Sequence, residues 1–166
     1  LSHLNNIHPE GLVEQARGAK LANAVNWAGM GDKAELERIT ATGARTIKII
    51  KPYESNEEIM DRIHHAEKCG VFALGIDVDH AFSGNGEYDN IFGLSMRPKS
   101  LTEIKEFVLE SKVPFVIKGV LSTVDAEKCV EAGVKAIVVS HHHGIMDYAV
   151  PPLVVLPEIV KAVDGQ

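Results

Sequence analysis

The chain has 166 residues, 45% of them apolar, with 17 Lys and Arg against 23 Asp and Glu. That length suits one domain with a real core, and that apolar share excludes a disordered chain. The net charge of −6 gives no basic field for nucleic acid or an anionic membrane, and no apolar run nears the ~18 residues of a membrane span.

Two cysteines, Cys69 and Cys129, each precede a glycine stop on a predicted helix, so no disulfide framework is expected. A reducing, cytoplasmic setting is the expectation. No signal peptide is visible, and a chain opening on Leu1 rather than Met is expected to be part of a longer one.

Leu1 to His8 is polar and irregular, and His8-Pro9-Glu10-Gly11 reads as a turn into a helix over Leu12 to Ala19. Leu21 to Trp27 is a strand candidate. Asp32 and Glu35 stand as N-cap and third residue of a helix to Thr40, which Gly43 stops. Thr46 to Ile50 is the next strand. Ser55 and Glu58 predict a capping box, with Ile59, Ile63 and Ala66 on the buried face of a helix ended by Gly70. Val71 to Val78 is a strand running into Asp77-Val78-Asp79-His80.

Ala81 to Pro98, rich in Gly, Ser and Asn, predicts a long loop, and loops of that length in compact domains are usually functional. Ser100 and Glu103 cap a helix carrying Leu101, Ile104, Phe107 and Val108. Phe115-Val116-Ile117 is a buried strand ending on Lys118 and Gly119. Ser122 and Asp125 open a helix with Ala126, Cys129 and Val130, stopped by Gly133. Ala136 to Val139 is a strand that delivers Ser140, His141, His142 and His143. Pro151-Pro152 turns the chain into a last helix with Leu153, Leu156, Ile159, Val160 and Val163.

Strands apolar on both faces, alternating with helices, predict an α/β fold with about five parallel strands. Five strands cannot close an eight-stranded barrel, so the chain is either an open sheet or part of a barrel. In both, chemistry collects where strands end. Lys118 and His142 sit at two such ends, and Asp77 and Asp79 follow a third. Among the three histidines, only His141 with His143, or His142 with partners such as Asp77, Asp79 and His80, could share a metal, and no metal is expected.

The stretch IKGVLSTVDAEKCVEAGVKAIVVSHHHG, with His8-Pro9-Glu10-Gly11 and the segment from Ala66-Glu67 to Asp79, resembles the FMN-dependent α-hydroxy-acid oxidase and dehydrogenase family. The resemblance implies a partial or truncated TIM (β/α)8 barrel holding strands two to six, with strands one, seven and eight outside this chain. It also implies FMN as cofactor, a small 2-hydroxy acid as substrate, a homo-oligomer, and hydride transfer to the flavin. His142 matches the family's base, Asp79 its orienting partner, and Lys118 the cation beside the flavin. Asn26, Asp77 and Ser140 match places of further cofactor contact.

Departures accompany these matches. Ile145 or Met146 stands where the family has a substrate-binding arginine, and Ala81 to Pro98 has no counterpart of a second one. The family's third-strand tyrosine aligns with Lys51 or Ile50. His141, His143, Lys51 or Tyr88 are candidates to replace those contacts. Three rivals follow: a non-catalytic flavin or metabolite binder, a lyase forming a Schiff base on Lys118, and a metal hydrolase.

Overall fold

The computed structural model describes residues 4–91, 93–144 and 148–166. Its framework is β1 (Asn26–Ala28), β2 (Thr46–Ile50), β3 (Ala73–Asp77), β6 (Phe115–Val120) and β7 (Ala136–Val139), paired in parallel in that order. Each strand lies beside its successor in the sheet, so the order never reverses as it does in doubly wound folds. Right-handed crossovers of one direction put every helix on the same face, which is how a (β/α) barrel is wound.

The helices are α1 (Gly11–Leu21), α2 (Lys33–Ala41), α3 (Asn56–Lys68), α4 (Leu101–Glu110), α5 (Thr123–Glu131) and α6 (Pro152–Val163). Their buried residues, including Leu12, Ile39, Ile59, Ile63, Phe107 and Ile159, pack on the outward side chains of the sheet, Ile50, Leu74, Ile76, Phe115 and Ile117. The opposite, inner face carries a small separate cluster of Ile47, Ile49, Ala73 and Val116. Gly75 belongs to that tight interior, since a Cβ there would lie 1.8 Å from the Val116 carbonyl oxygen. No helix among the described residues is long and apolar enough to cross a membrane.

Most helix starts follow the expected chemistry. Asp32, Ser55, Ser100 and Ser122 each accept a hydrogen bond from the backbone N–H three residues on. Only Ser100 and Glu103 complete a reciprocal box. Glu58 does not return the bond to Ser55; its carboxylate takes Arg62 at 2.6 Å instead.

Several boundaries differ from the sequence reading, among them the strand read as Val71 to Val78, which spans Ala73–Asp77 and gives way to a 3-10 turn over Val78–His80. Helix α1 runs on to Leu21, which is 89% exposed, and Asn23 ends the turn at φ 52°. The strand therefore starts at Asn26, because Leu21 is an apolar residue facing solvent. The strand at Phe115 extends to Val120 across a register shift between Lys118 and Val120, centred on Gly119 at φ 101°. The 81–98 segment is not plain loop: β4 (Asn90–Ile91) and β5 (Leu94–Ser95) pair antiparallel within it. Bridges from Tyr53 to Met96 and from Phe82 to Tyr88 tie it down, with Met96 fully buried.

Candidate active site

The carboxyl ends of β2, β3 and β6 bring four charged groups into one cluster. Lys51, the first residue after β2, reaches Asp77 Oδ2 at 2.7 Å. Lys118 of β6 reaches the other oxygen, Oδ1, at 2.8 Å and Asp79 Oδ1 at 3.4 Å. Both aspartates and Lys51 are buried, while Lys118 keeps 22% of its side chain exposed. Charges this deep persist because each meets an opposite charge.

His142 closes the cluster from beyond β7. Its Nδ1 lies 3.2 Å from Asp79 Oδ1, 3.3 Å from Asp77 Oδ2 and 2.9 Å from Lys118 Nζ. The sequence reading treats the three histidines as a strand end with alternating faces, but β7 stops at Val139. His142 and His143 follow in the left-handed region, at φ 51° and 64°. A non-glycine residue there costs energy, and such strain collects at functional sites. The ring of His80 packs edge-on against His142, centroids 4.5 Å apart, and its own Nδ1 lies 3.0 Å from Asp89 Oδ2.

The two carboxyls divide in character. Burial works to raise Asp77, but its bonds to His142 and Asp79 and the charges of Lys51 and Lys118 outweigh it and hold it well below the usual carboxylate range. Burial raises Asp79, and the adjacent Asp77 adds to that. His142 is raised, first by its bond to Asp77 and then by Asp79. Burial lowers His80, with Lys51 and His142 adding to the effect. The arrangement turns Nδ1 of His142 to the carboxylates, so Nε2, on the other edge of the ring, is the nitrogen available to a ligand.

A cavity of about 480 Å³ opens over this group. Trp27 and Ile49 form its apolar wall, and Lys51, Asp77, Lys118 and His142 its polar end. Gly29 also lines it, held in place because the buried Lys48 donates to the Gly29 and Met30 carbonyls. That volume and that mixture suit a small organic ligand. A second cavity, of about 530 Å³, lies towards the helix layer between α4 and α5, and neither Lys118 nor His142 lines it.

Of the residues singled out in the sequence, Lys118, Asp77, Asp79 and His142 meet in one group. Ser140 begins the segment after β7, and its buried Oγ, like Oδ2 of Asp79, has no hydrogen-bond partner among the described residues. Asn26 is a correction. It faces the helix layer, accepting from Gln15 Nε2 at 2.8 Å and donating to Thr46 Oγ1 at 3.3 Å. Its neighbour Trp27 takes the cavity wall, because successive strand residues point to opposite faces. Lys51 and His80 enter the sequence reading only as substitutes or possible ligands, yet Lys51 is the most buried cation of the group. The signal for it was a lysine directly after a strand, the place where chemistry collects in this class of fold.

Other expectations are displaced. Ile145 and Met146 lie outside the described residues. Arg97, the arginine of the 81–98 segment, is bound to Glu103 at 2.6 Å and does not line the cavity. Tyr88 is 62% exposed and stacks on Phe82. Asp77, Asp79 and His142 hold donor atoms within 4.8 Å of one another, a set that could take a metal ion. The two lysine ammonium groups already supply positive charge at that point.

A model of the FMN-dependent dehydrogenase family matches residues 1–103 and 97–166. The chain belongs to that family. Among curated relatives, the peroxisomal (S)-2-hydroxyacid oxidase GLO3 of Arabidopsis thaliana is 25% identical over 96% of the chain and 53% of the relative. The 4-hydroxymandelate oxidase of Amycolatopsis orientalis is 27% identical over 95% and 54%. The chain spans about half the length of the curated relatives it matches. A solved structure of mandelate oxidase superimposes with a TM-score of 0.87 at 28% identity, covering 99% of this chain and 53% of that one. Another mandelate oxidase structure with the same score carries a C4a-OH-FMN adduct. The five parallel strands are thus a half barrel of the TIM type.

Proposed function

We propose that this chain supplies the catalytic face of an FMN-dependent oxidoreductase acting on a 2-hydroxy acid, with His142 as the base. The observation that carries this reading is that His142 and Lys118 line one cavity with an apolar wall, while Asp79, outside that lining, contacts both of them. FMN, when bound, supplies a two-electron acceptor at its N5. The residues present fit such a group: Trp27 and Ile49 offer a flat apolar wall, and Lys118 a fixed cation where a reduced ring gains negative charge. Ser140, with its unsatisfied buried hydroxyl, is a further contact.

His142 takes the substrate hydroxyl proton on Nε2 as the carbon gives up its hydride. The resulting imidazolium is stabilised at Nδ1 by Asp79 and Asp77. Lys51 keeps Asp77 ionised and fixed. With Arg97 bound elsewhere, the substrate carboxylate finds its positive charge at Lys118, and His143, which also lines the cavity, offers a ring nitrogen beside it.

A Schiff-base lyase is disfavoured because Lys118 Nζ donates to two carboxylates, whereas imine formation needs its lone pair free.

The test is a visible absorption spectrum of the protein after incubation with FMN and removal of unbound flavin, followed by anaerobic addition of 2-hydroxy acids. A retained flavin spectrum that bleaches with wild type and not with His142→Ala supports the proposal. Retained flavin that no 2-hydroxy acid bleaches makes the chain a flavin binder and overturns the catalytic reading.

A further inference from the structure

A second cluster of chemically capable side chains lies on the outer face of the helix layer, away from the cavity over the sheet. His65 and Cys69, four residues apart, share one face at the end of α3, and Glu37 of α2 faces them. Glu37 Oε1 lies 3.0 Å from His65 Nε2, and Cys69 Sγ lies 3.7 Å from the same nitrogen. All three donor atoms fall within 4.8 Å of one another, around a surface hollow of about 400 Å³ also lined by Thr40, Ala41 and Lys68.

We propose that Glu37, His65 and Cys69 form a binding site for a borderline divalent transition metal such as Zn²⁺, clipping α2 to α3. Zn–N and Zn–S bonds of about 2.0 and 2.3 Å at tetrahedral angles put nitrogen and sulfur about 3.6 Å apart, and nitrogen and carboxylate oxygen about 3.4 Å apart. The spacings of 3.7 and 3.0 Å to Nε2 are near those values, and because Cys69 Sγ also lies 3.9 Å from Nδ1, the imidazole must turn to aim Nε2 at a shared metal. A thiol, an imidazole and a carboxylate are the ligand set that zinc accepts and that magnesium or calcium does not. The hollow leaves the fourth position to water. Binding exchanges the Cys69 thiol proton for the metal: the S–H bond breaks, the S–metal bond forms, and one proton passes to the buffer. Helix α3 already puts His65 and Cys69 on one face, so ordering the site requires turning the His65 ring and fixing the exposed Glu37.

The experiment is titration of the whole chain with Co²⁺, in a His142→Ala background that removes a ligand from the Asp77 and Asp79 group. One equivalent should give a thiolate-to-cobalt charge-transfer band with intensified visible bands, and Zn²⁺ should displace both. Cys69→Ser should abolish the charge-transfer band, and Cys129→Ser should leave it intact. Glu37→Gln and His65→Ala each remove or weaken a direct ligand and should weaken binding by more than the ~10-fold to 100-fold that loss of an outer-shell partner costs. Zn²⁺ should raise the melting temperature of the parent protein and not that of Cys69→Ser, whose circular dichroism reports that it is folded. A cobalt spectrum with no thiolate band, or one that survives Cys69→Ser, overturns the proposal.

Discussion

His142 Nδ1 and Asp79 Oδ1 lie 3.2 Å apart, although 63 positions of chain separate them. They meet because Asp79 follows β3 directly and His142 follows β7, with only β6 between the two strands in the sheet. Asp79→Asn keeps the shape and removes the charge that steadies an imidazolium. Flavin binding should persist while turnover falls by about 10²-fold or more. Stopped-flow measurement of flavin bleaching checks this, and unchanged bleaching would leave Asp79 a structural role only.

The same contacts fix a pH dependence. His142 is raised above its ordinary value of 6.5 by Asp77 and Asp79. Its contribution to stability is complete below 6.5 and is lost as pH rises through the folded value. His80 is lowered from 6.5 by burial, so its contribution is present above 6.5 and is lost as pH falls. Melting temperature should therefore decline on both sides of that point, and His142→Gln should flatten only the alkaline side. Turnover, which needs neutral His142, should rise over the same alkaline window. A pH series of melts and rates reads both.

Much of this was legible because local chemistry repeats. The Ser100 and Glu103 capping box, the apolar run before Lys118 and the Asp77–Asp79 pair are short-range signals, and each marks the end of an element. What stayed hidden depends on tertiary packing. Leu21 looked like a strand start but extends α1 into solvent. In a strand as short as β1, nothing local says whether Asn26 or Trp27 points inward, and a shift of one residue exchanges their faces. The left-handed turn falls on His142 and His143 as well as on Gly144, and the glycine alone does not announce the two histidines. Lys51 is visible in the sequence as a candidate contact, but its partner, the Asp77 carboxylate 26 positions away, is not.

The two lysines should differ sharply when replaced. Lys51 keeps only 4% of its side chain exposed and bonds Asp77 at 2.7 Å. Lys51→Met removes the most buried of the cations on Asp77 and should cost ~3–5 kcal/mol. Lys118→Met leaves Asp77 its bond to Lys51, so stability should fall less, while flavin binding and the rate of flavin reduction should both drop. Urea unfolding alongside a flavin titration separates the two effects. Equal destabilisation by both substitutions would contradict this division of roles.

Gly119 sets the position of Asp79 sterically. Its φ of 101° lies in a region that side chains rarely adopt, and an added Cβ would stand 2.6 Å from Cβ and Cγ of Asp79 and 2.7 Å from its backbone nitrogen. None of these atoms is the far end of a flexible side chain, so either β6 or the turn after β3 must move. Gly119→Ala should cost ~1–3 kcal/mol through backbone strain and overpacking. It should also push Asp79 off His142, lowering the imidazole's raised value towards 6.5. Thermal unfolding measures the first effect and NMR titration of the histidine rings the second. A variant that melts lower but leaves the His142 titration in place would show that the close packing supports β6 alone, without setting the His142–Asp79 contact.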